Sequence, residues 1–157
     1  MFTRKSDTKP AEQAEAFEVT KSDEEWRAEL SPDRYAVLRR AGTEPAWTGD
    51  LLHVEGTGLF RCAGCGAELF DTGAKFDSGS GWPSFDRARA AGTIVERTDR
   101  SFGMTRTEIL CARCGGHLGH VFPDGPTETG LRYCVNSLSL TYEPESGDAE
   151  SEGGTEG

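Results

Sequence analysis

The chain has 157 residues, a hydrophobic fraction of 35% and a formal net charge of −10. That is room for one domain with its own core, but the charge balance excludes a nucleic-acid partner, which needs clustered Lys and Arg. No apolar run reaches the roughly 20 residues of a membrane helix, and the start MFTRKSDTKP lacks an apolar signal-peptide core, so a cytoplasmic chain with no membrane contact is expected.

Residues 1–21 are polar and without periodicity, and read as a disordered tail. Ser22-Asp23-Glu24-Glu25 fits a capping box that opens a short helix running to Leu30. Ser31-Pro32 restarts a helix, with Ser as N-cap and Pro at the first helical position; Tyr35, Leu38 and Arg39 then fall at helical spacing, and Gly42 is the expected stop. Residues 43–49 should be extended or turned around Pro45. From Leu59 the texture becomes β: 59–62 and 68–70 read as a hairpin, 93–98 and 104–110 as strands, and 131–142 as the most convincing strand. Gly and Pro punctuate 77–83 and 122–126. Residues 145–157 are acidic and poor in apolar surface, and read as a second disordered tail. The expected domain is therefore 22–144: two or three N-terminal helices, then a mainly β, antiparallel body.

Four of the five cysteines form two Cys-x-x-Cys knuckles, Cys62/Cys65 and Cys111/Cys114, each followed by glycine. Such turns bring two thiolates to neighbouring corners of a tetrahedron, and two of them complete a four-sulfur structural zinc site. A redox pair or two disulfides are the alternatives. A redox Cys-x-x-Cys usually opens a helix in a βαβ unit, and disulfides suit a secreted chain.

The fifth cysteine, Cys134, stands alone in Arg132-Tyr133-Cys134-Val135-Asn136. Period-two alternation on a strand sends Arg132, Cys134 and Asn136 to one side. A neighbouring cation favours thiolate, the nucleophilic form; a buried structural cysteine is the plainer alternative. His117 and His120 follow the second knuckle three residues apart. They could join the metal, deliver protons near neutral pH, or simply be exposed loop residues. Trp82, in a Gly-rich loop ending at Pro83, could wall an apolar pocket or pack in the core.

Taken in order, Gly42-Thr43-Glu44-Pro45, the segment from Lys75 through Gly81-Trp82-Pro83-Ser84-Phe85, Gly116-His117-Leu118-Gly119-His120-Val121-Phe122-Pro123-Asp124-Gly125-Pro126, and Arg132-Tyr133-Cys134-Val135-Asn136-Ser137 resemble the B-type peptide-methionine sulfoxide reductases. The resemblance spans roughly 30–142. It implies two antiparallel sheets, a structural Zn²⁺ on Cys62, Cys65, Cys111 and Cys114, and reduction of the R epimer of methionine sulfoxide in peptides and proteins. It further implies Cys134 as nucleophile, with His117, His120 and Asn136 around the substrate oxygen, His120 being favoured as proton donor. Trp82 would receive the substrate methyl group and Arg132 would stand beside the nucleophile. Many members carry a resolving cysteine two residues before the tryptophan, where this chain has Ser80. A Cys134 sulfenic acid reduced directly by thioredoxin or a small-molecule thiol, in a monomer, is thus expected. A zinc-scaffolded binding module and a cysteine hydrolase are the rival readings.

Overall fold

The computed structural model describes residues 17–145; the remaining parts of the two expected tails, 1–16 and 146–157, lie outside the described residues. Helix α1 (Asp23–Glu29) opens on the capping box: the Ser22 hydroxyl accepts from the Glu25 N–H, and the Glu25 carboxylate accepts from the Ser22 N–H. Three acidic residues in its first turn complement the helix dipole. Ser31 caps α2 (Pro32–Arg40), with Pro32 at the first position. The left-handed residue that ends α2 is Ala41, φ 57°, not the expected Gly42. Gly42 is needed for another reason: its N–H reaches the Ala36 carbonyl at 3.0 Å, and a Cβ there would press on the same oxygen.

The body is mainly β, in two antiparallel sheets, as expected. The strands are β1 (Gly58–Cys62), β2 (Glu68–Asp71), β3 (Lys75–Phe76), β4 (Ser84–Phe85), β5 (Ile94–Asp99), β6 (Arg106–Cys111), β7 (His117–Phe122), β8 (Arg132–Val135) and β9 (Leu140–Pro144). The smaller sheet has the order β2-β1-β9 and the larger β3-β4-β8-β7-β6-β5. An aromatic chain joins them. Phe70 stacks on Phe85 at 4.3 Å, and Phe85 meets Phe60 edge-on at 5.0 Å. Each such pair adds about 0.5–1.5 kcal/mol beyond the area it buries.

The expected single strand over 131–142 is two strands in different sheets. Asn136 leaves β8, a 3₁₀ turn covers Ser137–Ser139, and the chain re-enters as β9. Side chains from far upstream hold the break. The buried Glu44 carboxylate accepts from the Ser137 and Leu138 N–H groups, both at 2.9 Å. Arg34 donates to the Leu138 and Leu140 carbonyls at 3.1 and 2.9 Å. The backbone groups that a continuous strand would have paired are satisfied by these partners instead.

Within the span expected as the N-terminal tail, residues 17–21 pack on the domain. The Val19 N–H donates to the Arg113 carbonyl at 2.8 Å, and the Phe17 ring covers Gly115.

Candidate active site and metal centre

The two knuckles are the turns of two hairpins, β1–β2 and β6–β7. The glycine after each second cysteine, Gly66 and Gly115, takes positive φ (83° and 78°), which lets its N–H return to the first cysteine's carbonyl at 2.8 Å. The four sulfurs converge within 4.8 Å of one another. Cys62 and Cys114 are 3.7 Å apart and Cys65 and Cys111 3.6 Å. Those separations are far beyond a disulfide of about 2.05 Å and close to the edge, about 3.8 Å, of a tetrahedron with 2.3 Å metal–sulfur bonds. The donor set therefore fits a closed four-thiolate metal site, and all five cysteines are free of disulfides. Mutual hydrogen bonding holds Cys65 well below the ordinary thiol range and pushes Cys62 above it. A dication would hold all four as thiolates. Trp26 of α1 lies against Gly64, and Arg39 of α2 stacks on that indole at 4.5 Å while donating to the Cys114 carbonyl at 3.1 Å. The two helices thus brace the knuckles.

Three residues apart on a regular strand, His117 and His120 would face opposite ways. A bulge reverses this. Ile109 pairs with Gly119 but Leu110 pairs with His117, leaving Leu118 as the extra residue. The two imidazoles then lie edge to face at 5.7 Å. Across the β7–β8 ladder His120 stands directly opposite Cys134, a spacing that puts facing side chains roughly 4.5–5.5 Å apart at Cβ. Gly119 permits this approach, because a Cβ there would come within 2.0 Å of the Cys134 carbonyl oxygen.

Cys134 and His120 share a cleft of about 310 Å³ with Trp82, Arg132, Asn136, Ser80, Phe122 and Arg106. A larger hollow, about 740 Å³, lies between α2 and the 137–142 segment and contains no cysteine or histidine. Trp82 is fixed by its indole N–H, which donates to the Glu44 carbonyl at 2.9 Å. Asn136 is fixed from both ends: its Oδ1 accepts from the Glu44 N–H and its Nδ2 donates to the Leu118 carbonyl, each at 3.0 Å. His117 is buried behind His120 and does not line the cleft.

Arg132 pulls Cys134 toward thiolate, as its charge suggests, but burial outweighs that pull. Its guanidinium grips Asp124 with two hydrogen bonds, 2.8 and 3.1 Å, and stacks on Phe122 at 4.4 Å. Burial pushes the Cys134 thiol up, outweighing the Ser80 hydroxyl at 3.9 Å and the Arg132 charge, which both pull it down. Burial likewise lowers His120, although its Nε2 lies 2.8 Å from the Asp99 carboxylate. The resting pair is therefore neutral thiol and neutral imidazole at neutral pH.

Several site residues had no signal in the sequence. Glu108 bonds the Nδ1 of His117 at 2.7 Å, and Asp99 holds His120 while accepting from Arg106 at 3.2 Å. Acidic residues on β strands read as solvent-facing, and only the ladder register brings these two inward. Glu44, which links Trp82, Asn136 and the turn after β8, lies in Gly42-Thr43-Glu44-Pro45, where a motif was visible but no role. Trp47 is a further surprise: a non-glycine residue at φ 73°, a conformation that costs of order 1–3 kcal/mol.

The SelR domain model matches residues 30–144. A peptide methionine sulfoxide reductase MsrB of Thiobacillus denitrificans is 60% identical over 124 residues, covering 79% of this chain and 94% of that protein. The MsrB of Leifsonia xyli subsp. xyli is 57% identical, covering 82% and 94%, and that of Leptospira interrogans is 55% identical, covering 82% and 98%. With a matching domain model over most of its length and relatives of this identity, the chain belongs to the SelR-domain family, that of the MsrB proteins.

Proposed function

We propose that this protein reduces methionine sulfoxide, selectively the R epimer in peptides and proteins, by oxygen transfer to Cys134. One observation carries the reading: in a chain of this family, a lone, partly buried thiol faces a histidine across a β ladder inside a cleft walled by a tryptophan. Sulfoxide sulfur is a poor electrophile until its oxygen is protonated or strongly hydrogen-bonded. The substrate oxygen, arriving between Cys134 and His120, favours transfer of the thiol proton to the imidazole. The thiolate attacks sulfur while His120 gives that proton to the oxygen. The S–O bond breaks as Cys134 gains the hydroxyl, leaving methionine and a cysteine sulfenic acid. Asn136 orients the oxygen with the Nδ2 hydrogen that Leu118 leaves free, and His117 supports His120 from behind. Trp82 receives the methyl group, so that oxygen, methyl and sulfur each have their own contact and one epimer is selected. Arg132, bound to Asp124, shapes the wall beside the sulfur.

Two equivalents of an external thiol, from thioredoxin or a small molecule, then return Cys134 to its thiol and release water. Ser80 stands beside Cys134 and cannot form a disulfide with it. Intact mass after one turnover without added thiol should rise by one oxygen atom; a loss of two hydrogens overturns this step. The knuckle cysteines hold a structural Zn²⁺ that takes no part in the reaction. The catalytic unit is 22–144, with residues 17–21 packed against it, and acts as a cytoplasmic monomer. No helix of the described residues is long and apolar enough to cross a membrane. The test is racemic methionine sulfoxide with dithiothreitol, followed by separation of the remaining epimers. Consumption should stop near half with the S form left; no consumption, or loss of both forms, rejects the reading.

A further inference from the structure

Trp47 is 61% exposed, one of two large hydrophobic residues left in solvent among the described residues. It is also held in the left-handed region, at φ 73°. Among the described residues the other non-glycine with positive φ, Ala41, ends a helix, where that conformation is ordinary. Trp47 ends no helix. Its N–H donates to the Gly81 carbonyl at 2.7 Å, and its indole lies over Gly81 so closely that a Cβ on Gly81 would meet Nε1 at 3.0 Å. Gly81 in turn is joined to Trp82, whose indole N–H is fixed to Glu44 on the loop that carries Trp47. Two loops are therefore clamped together by reciprocal links. One tryptophan points into the cleft and the other stands in water immediately outside it.

We infer that Trp47 is a specificity-determining residue that binds the polypeptide flanking an oxidised methionine, an inference that rests on the reductase reading above. A cleft of about 310 Å³ accommodates the sulfoxide side chain, with sulfur at Cys134 and methyl at Trp82. The substrate main chain and its neighbouring residues must then leave over the rim. The rim beside Trp82 is Gly81 covered by the Trp47 indole. A rigid aromatic with few rotatable bonds offers a large contact area at low entropic cost. It reads no particular sequence, which suits a substrate defined only by containing oxidised methionine. Free methionine sulfoxide has no flanking chain and makes no use of this surface.

The experiment compares wild type, Trp47→Ala and Trp47→Phe on two substrates: an acetylated tripeptide with central methionine (R)-sulfoxide between apolar residues, and free methionine (R)-sulfoxide. In Trp47→Ala the ratio of kcat/KM for peptide to that for free amino acid should fall about tenfold, the scale of losing one aromatic contact at a binding surface. The loss should appear in KM, and Trp47→Phe should recover most of it. An unchanged ratio, whether both rates fall together or neither falls, overturns the inference and leaves Trp47 as a cover for Gly81. Wild-type protein inactive on both substrates would instead reject the reductase reading itself.

Discussion

The two knuckle hairpins are built to one plan, and only one of them faces the cleft. In each, the second cysteine is followed by a left-handed glycine, and a bulge falls four residues after that cysteine, at Leu69 and at Leu118. The residues on either side of the bulge differ. The first hairpin has Glu68, Phe70 and Asp71 where the second has His117, Gly119 and His120. Glu68 pairs with Arg61 and Arg89 at the surface, Phe70 fills the core between the sheets, and Asp71 caps the 3₁₀ turn that follows. Gly119 gives up that filling role and lets β8 close on β7, while His120 turns to the cleft. The same local geometry, a knuckle plus a bulge, serves packing in one copy and chemistry in the other. What separates them is the side chain at three matched positions and the strand that lies alongside.

Metal removal tests what the two copies share and should have the largest effect. Chelation, or Cys111→Ser, removes of order 10 kcal/mol of binding free energy, comparable to the whole stability of a domain. Both hairpins should lose structure together, read as loss of a cooperative melt in circular dichroism alongside metal content. A metal-free protein that still melts cooperatively would mean the hairpins stand without their shared clip.

Matched substitutions test what they do not share. His120→Ala should lower kcat by roughly 10²–10⁴, the range for loss of a general acid, and leave the melting temperature nearly unchanged. Asp71→Ala, at the corresponding position, should do the opposite, costing about 1 kcal/mol as a lost cap with kcat intact. Equal effects on rate from the two would erase the distinction. Gly119→Ala drives a methyl into the Cys134 carbonyl and should destabilise by about 1–3 kcal/mol as overpacking, with activity falling as β8 is displaced. Wild-type activity and stability in that variant would show that the close approach is not required.

The smallest expected effect concerns the thiols. Burial raises Cys134, so more of its thiolate forms only as pH climbs past the ordinary value. Its alkylation rate should reach half-maximum above pH of about 8.5, and in zinc-loaded protein the knuckle cysteines should stay unmodified. A midpoint below that value would restore Arg132 as the dominant influence on Cys134.

How much was legible varies by element. The caps were readable because their signals are local: a capping box three residues apart at Ser22, and Ser followed by Pro at Ser31. The knuckles were readable because their spacing is the chemistry, and the lone Cys134 because nothing else in the chain repeats it. The strand over 131–142 was misread for a definite reason. It contains no Gly or Pro to mark a stop, and the break is imposed by Glu44 and Arg34, about a hundred residues upstream. The balance at Cys134 was not legible, because a sequence displays the charge on Arg132 but neither its capture by Asp124 nor the burial of the sulfur.

By itself, then, the amino-acid sequence determined the local pieces: two capped helices, two Cys-x-x-Cys knuckles, the glycines that let them turn, and the residue types from which a thiol reductase can be made. Those follow from spacing over a few residues, where backbone sterics and ligand geometry leave little choice. Tertiary structure alone decided which pieces act together. The bulge at Leu118 put both histidines on one face, the β7–β8 register set His120 opposite Cys134, and ladder pairing brought Glu108 and Asp99 to the histidines. Register is a property of two strands at once, and a shift of one residue would send every one of these side chains to the other face.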